Sequence, residues 1–310
     1  MKTSKLWIGL AAGLVMVSLA GGARADGIGV QARHFKGKAR TALQAQVGKA
    51  RQQNPVVFAK VAEAPKLAIE AEQQRRGRVA SITLPLQALG KDALFPMLEM
   101  LALDVPARGK MNVGAWTTLR VGLIEAVGLI RDARATPALG SILERETDFE
   151  VTRAAAEALG RIGDDASAKK LARLALGAGP KRLAVMSALG ECRRTVAANA
   201  LSKLAKTADE AQLLIVTKNL GTVGNSWAWQ TADISKSGEG AQVRSIAARA
   251  LLEVFVKHQG LVRSKAERAL LVVDDPSTPA LIAAAKQGAN ADGARALDSL
   301  SARIAKNPAR

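Results

Sequence analysis

The chain has 310 residues, with 45 lysines and arginines against 27 acids, one cysteine, two histidines, no tyrosine and only 3% aromatic side chains. A single cysteine excludes an internal disulfide, and two histidines leave little material for a metal centre. A chain this long, rich in alanine and leucine, suits helices packed closely through small side chains around a large core.

Residues 1–25 read as a secretory signal. Lys2 and Lys5 give a positive start, Leu6–Ala20 is uncharged and largely apolar, and Ala23-Arg24-Ala25 has the small-x-small form of a cleavage site. The apolar run is shorter than a membrane span needs and ends in Gly-Gly, so an uncleaved anchor is the weaker alternative. No twin arginine precedes it and no cysteine stands near the cleavage site, which favours the general export route over a lipoprotein. The expected address is periplasmic or secreted, with cleavage after Ala25. Losing Lys2, Lys5 and Arg24 leaves 42 basic against 27 acidic side chains, a net +15. That balance favours acidic partners: a protein, a phosphorylated glycolipid, anionic lipid headgroups or nucleic acid.

Residues 26–78 are helical in pattern but not repetitive, and read as an N-terminal helical cap. Gln31–Gln53 carries Lys36, Lys38, Arg40, Lys49 and Arg51 and no acid, suggesting a loose basic arm. Asn54-Pro55 breaks the chain, Pro65 kinks or restarts it, and Gly27 and Gly29 fall in an expected frayed terminus.

A repeat begins near Val79 and runs to Gly288. Its marker is the glycine of an Ala-Leu-Gly-like triplet, at Gly90, Gly128, Gly160, Gly190 and Gly221, with gaps of 38, 32, 30 and 31 residues. A leucine follows eleven residues later at Leu101, Leu139, Leu171 and Leu201, and an arginine precedes by eight at Arg120 and Arg182, with Arg153 one place off. Such a period is that of helical-hairpin arrays. A glycine near the end of a helix costs ~1 kcal/mol against alanine, so its recurrence predicts close approach of helix on helix. In the central unit, Val151–Leu176, one helix ends at Ile162, Gly163 supplies a left-handed end, and Asp164 or Asp165 caps a second helix. There Ala168, Leu171, Ala172 and Ala175 form the buried stripe. Asp275 is expected to cap a later second helix with Pro276 at its first position. The last unit, Leu261–Gly288, aligns if Leu271 takes the marker place, leaving a surplus at residues 222–240 as an insert loop within one hairpin. Residues 289–310 form a capping helix and tail, with Leu297, Leu300 and Ile304 at helical spacing.

Chemistry finds few candidates. His34 and His258 have no ligand partners at helical spacing. Cys192 shares the register of Ile130 and Ile162 and reads as a core thiol. Ser226, Ser235 and Ser237 lack a nucleophile elbow, and no phosphate loop leads into Lys236. No catalytic residue, metal site or cofactor is expected. Two features suit binding. Trp227 and Trp229 lie in the polar insert, either as recognition residues or as a fold-back cover. Lys169, Lys170 and Arg173 on one second helix, with Lys203 and Lys206 on the next, form a cationic patch in which Arg173 stacks above Lys203.

The units with this arginine, the Ala-Leu-Gly triplet, the aspartate turn and the second-helix leucine resemble HEAT repeats, most closely the short type of phycobilisome lyases. The resemblance implies an all-α, right-handed α-solenoid of about six hairpins, with second helices on the concave side and N- and C-terminal helical caps. It further implies partner binding as the common role. The expected function is a non-catalytic exported scaffold for an envelope protein, with a polyanion-binding protein as the alternative and a lyase-type enzyme as a remote one. Salt separates the first two, since binding of a polyanion weakens steeply with ionic strength.

Overall fold

The computed structural model describes residues 27–31, 33–76, 80–103, 108–109 and 111–307. The signal segment 1–25, the Val79 boundary and the end of the tail lie outside them. Every regular element among the described residues is a helix, and the chain is an α-solenoid.

Three helices form the N-terminal cap: α1 (Gly37–Gln53), α2 (Pro55–Ala62) and α3 (Ala64–Gln73). Asn54-Pro55 separates the first two, and Pro65 sits in the first turn of α3, where its missing N–H has no intrahelical acceptor to lose. Six hairpins follow. They are α4 (Thr83–Gln87) with α5 (Leu94–Ala102), α6 (Val113–Ile130) with α7 (Thr136–Arg145), and α8 (Phe149–Ile162) with α9 (Asp165–Leu176). Next come α10 (Arg182–Ala188) with α11 (Thr195–Thr207), and α12 (Glu210–Val223) with α14 (Gly240–Lys257), between which the insert places the single turn α13 (Ala232–Ser235). The last pair is α15 (Gly260–Val273) with α16 (Thr278–Lys286), closed by α17 (Ala291–Ala305).

The helices stack in two layers. First helices pack in the order α6, α8, α10, α12, α15, and second helices in the order α9, α11, α14, α16. The period explains this directly. Leu101, Leu139, Leu171 and Leu201 are completely buried between the layers, and Gly128, Gly160, Gly190 and Gly221 each admit the next first helix or the turn that ends it. A methyl group on Gly128 would lie 2.6 Å from Ala158 Cα, one on Gly160 3.0 Å from the Cys192 amide nitrogen, and one on Gly221 3.0 Å from the Ala269 methyl. Arg120 ties α6 to the end of its own hairpin at Glu146 (2.6 Å), while Arg182 ties α10 to the next repeat at Gln212 (2.9 Å). Helix α6 is long and apolar enough to cross a bilayer, but it packs against α3, α4, α5 and α8 as the core of the stack.

Asx caps start several helices. Asn112 accepts from Ala115 N (2.7 Å), Asp148 from Val151 N (3.0 Å), Asp164 from Ser167 N (2.9 Å) and Asp209 from Gln212 N (2.8 Å). Asp148 and Asp209 both stand twelve residues ahead of a marker glycine, a periodic signal that sequence reasoning passed over.

Four expectations need correction. Gly27 and Gly29 are not frayed: Ile28 N donates to Met100 O, while Gly29 N and Val30 N donate to Leu101 O, burying Ile28 and Val30 on the end of α5. A side chain on Gly27 would collide with the Leu101 carbonyl and the Ala102 backbone, so glycine is required by proximity. The basic stretch is no loose arm either. Helix α1 docks on α5 through Leu43 and Val47, with Arg51 paired to Glu99 and lying over the Phe58 ring. Gly90 is not a close-packing position, since it ends a turn at φ +75° and nothing approaches it. Asp275 does not cap α16, which starts at Thr278 with Pro279 in its first turn; its carboxylate accepts from Ser277 within the preceding turn.

Candidate functional site

Two concave features stand out, one between second helices and one along the turns that join first to second helices. The groove between α9 and α11 encloses about 570 Å³. Its floor is apolar, from Ala168, Ala172 and Leu176 on α9 and Val196 and Ala200 on α11, and Leu176 is 43% exposed. Small side chains make the groove: alanines at these places satisfy the buried stripe while leaving the space between helices unfilled. Lys169 and Lys203 stand on its walls. At the turn end Arg194 closes it, donating to Glu239, Asp165 and the Gly163 carbonyl.

The cationic patch read from sequence is divided by the fold. Lys169, Arg173 and Lys203 are exposed and make no ion pair among the described residues, but Lys169, not Arg173, shares the groove with Lys203. Lys170 is half-buried and paired with Glu144, and Lys206 lies 3.9 Å from Glu253. The tryptophans part company as well. Trp227 is 63% exposed, whereas Trp229 is buried, donates its indole N–H to Val223 O at 2.9 Å and lies against Gly240. Trp229 therefore belongs to the core, and only Trp227 remains open to a partner.

The second feature is a cavity of about 610 Å³ along the turns, which sequence reasoning did not find. Lys91, Arg131, Arg161, Arg193 and Arg194 reach it from four successive hairpins, and the insert walls it with Asp233, Ile234, Lys236 and Ser237. Arg131 holds φ +58° in the left-handed region, at the place where the next hairpin has Gly163 at +69°. Burial, and then the neighbouring Arg193 charge, push its guanidinium below the ordinary value. The signal was present in the sequence as an arginine standing three residues after the marker, where the central repeat has glycine.

Elsewhere, Arg153 and Cys192 are structural. Arg153 bridges Glu125, Glu150 and Glu157. Cys192 is fully buried, and desolvation pushes its thiol up to about 12, so it carries no thiolate at neutral pH. Among the described residues no group of three or more His, Cys, Asp or Glu side chains could hold a metal ion.

Residues 117–181 match the family described as HEAT repeats, covering the second part of α6 through α9. This supports the HEAT-repeat reading where the sequence signal was strongest. No curated protein matches the chain. Among solved structures, human deoxyhypusine hydroxylase in complex with glycerol is similar to it at 16% identity and a TM-score of 0.32, covering 82% of this chain and 99% of that one. The expectation of a protein without catalytic activity is not upheld: the similar solved chain is a hydroxylase. At that TM-score the likeness transfers neither an activity nor a residue.

Proposed function

We propose, for a chain carrying HEAT repeats, that it is an exported scaffold whose groove between α9 and α11 receives an acidic, amphipathic helical segment of another envelope protein. We infer also that its repeats are the short kind found in phycobilisome lyases, a reading supported by gaps of 30 to 32 residues over most of the stack. One observation carries the binding proposal: an apolar floor of alanines with exposed Leu176 lies beneath Lys169 and Lys203, two cations that make no ion pair among the described residues. An acidic helix with apolar residues at i and i+4 meets both halves of that surface, its stripe on the floor and its carboxylates at the rim. The export reading is supported by the charge and hydropathy pattern of residues 1–25.

The test is a titration with a synthetic acidic helix bearing leucines at i and i+4. Lys169→Glu with Lys203→Glu should weaken binding by roughly tenfold or more, with like charges now facing each other, and leave melting nearly unchanged because both side chains are exposed. Equal affinity of the double variant and the parent would remove the groove as the site. Loss on Trp227→Ala instead would move it to the insert.

A further inference from the structure

We propose that the cavity along the interhelical turns is a binding site for a phosphate-bearing organic ligand, gripped by Arg131, Arg161 and Arg193. This goes beyond the groove reading and does not depend on it.

The argument begins with charge that the protein leaves unanswered. Arg194 and Lys236 are matched, the first by Glu239 and Asp165 and the second by Asp233 at 2.6 Å. Asp132, also on the wall, is committed to Arg134, with which it makes a two-pronged pair. Arg161 and Arg193 must share Glu191, at 3.4 and 3.3 Å, although Arg161 also reaches Glu157 at 3.5 Å. Arg131 makes no ion pair among the described residues and spends one N–H on the Arg161 carbonyl at 2.6 Å. Lys91 makes no ion pair among the described residues. The cavity thus holds more guanidinium and ammonium charge than carboxylate, and bringing cations together without compensation is costly unless an anion completes the cluster.

Two further observations point the same way. Arg193 is largely buried with its Nε lacking a hydrogen-bond partner among the described residues, so its guanidinium is incompletely satisfied within the protein. Arg131 is held in a left-handed conformation that glycine occupies at the same register in the next hairpin, and a strained residue that an easier one could replace marks a side chain wanted for its chemistry. Burial first, and then the neighbouring Arg193 charge, lower the affinity of its guanidinium for a proton.

The ligand class follows from the lining. Several planar forks converging from separate turns suit the tetrahedral oxygens of a phosphate better than a single carboxylate, which one arginine can satisfy. Ile130, Ile162 and Ile234 give the cavity apolar walls beside the cations, which an organic portion of the ligand would cover. Its volume is that of a small-molecule site. The same phosphate chemistry can come from a soluble phosphorylated compound or from a lipid headgroup.

Calorimetric titration of the purified chain at low ionic strength tests this with three probes: inorganic pyrophosphate, a hexose phosphate, and vesicles containing phosphatidic acid. Arg131→Gly is the informative variant, since glycine adopts its backbone conformation freely, which offsets the lost bond to the Arg161 carbonyl, and its melting temperature should stay close to the parent's. It should weaken pyrophosphate and hexose phosphate by roughly tenfold or more, as should Arg193→Gln, whereas Lys169→Glu with Lys203→Glu should change them by less than about twofold. Binding of the soluble probes alone assigns a soluble phosphate compound. Vesicle binding that pyrophosphate displaces and Arg131→Gly abolishes assigns a headgroup. The proposal is overturned if no probe binds, or if probe binding survives both arginine variants unchanged.

Discussion

The regular run from α6 to α11 and the hairpin that follows it share one register but join their helices differently. In the central hairpin, α8 ends at Ile162 and α9 starts at Asp165, so Gly163 and Asp164 make the whole connection. In the fifth hairpin, α12 ends at Val223 and α14 starts at Gly240, so sixteen residues intervene. Short turns leave nothing over, because every residue is consumed in reversing the chain or capping a helix. The insert divides into two parts. Asn225–Gln230 is pinned to the stack: Ser226 donates its N–H and hydroxyl to Val272 O, and Trp229 fills the space beside Gly240. Ala232–Ser237 is mostly exposed and forms a wall of the arginine-lined cavity. The difference teaches that an insert in a repeat array can be core at its base and surface at its tip.

The sharpest break of that comparison lies two residues apart. Trp229→Ala should cost ~3–5 kcal/mol in urea denaturation, from lost burial and an orphaned Val223 carbonyl. Trp227→Ala should stay within ~0.5 kcal/mol, because its ring faces solvent. Equal losses for the two variants would mean that the insert folds as one piece. It follows that excising residues 222–240 would unfold part of the stack, since Val223 and Trp229 are both buried; the insert is not a freely removable loop.

The marker glycines give the next largest effect. At Gly128 a methyl group meets the Ala158 backbone at 2.6 Å, and no side chain can swing aside, so Gly128→Ala should destabilise by ~1–3 kcal/mol. At Gly221 the nearest atom is the Ala269 methyl at 3.0 Å, and the helical preference of alanine offsets much of the crowding, so Gly221→Ala should lie within ~1 kcal/mol of the parent. Thermal melting of the pair decides it. A Gly128→Ala protein as stable as the parent would show that the first helices of the regular run are less closely packed than these distances require.

How much of this was legible follows from the same contrast. A hairpin array buries the same places in every repeat, so Leu139, Leu171 and Leu201 announce themselves by spacing alone, and the HEAT-like stack with them. What the period cannot reach was misread. Gly27 and Gly29 look like a free end because their partners, the Leu101 and Ala102 backbone, are some seventy residues away. Trp227 and Trp229 sit in a segment with no register, so nothing in sequence distinguishes the buried ring from the exposed one. Arg131 is hidden for the opposite reason: the period marks apolar and small places, and a charged residue in a glycine place has no periodic signal of its own.

The smallest effect separates the two connections by pH. Asp164 and Asn225 both stand four residues after their marker glycines and both accept a backbone N–H, Asp164 from Ser167 at 2.9 Å and Asn225 from Ala228 at 3.2 Å. Only the aspartate titrates. Burial pushes its carboxyl up, but the Ser167 amide and hydroxyl, with the Thr136 hydroxyl, outweigh that and hold it below its ordinary value of 3.8. A carboxylate whose folded value is depressed contributes stability that is complete above its unfolded value and is lost as pH falls through the folded one. Asp164→Ala should therefore cost ~1 kcal/mol at pH 7, the usual worth of a helix cap, and progressively less below about pH 4. Asn225→Ala should cost a similar or smaller amount with no change over the same range, because its amide has no proton to gain. Denaturation of both variants and the parent from pH 7 to 3 makes the comparison. A pH-independent cost at Asp164 would show that the cap works as a neutral hydrogen bond, and that the two connections differ in length alone.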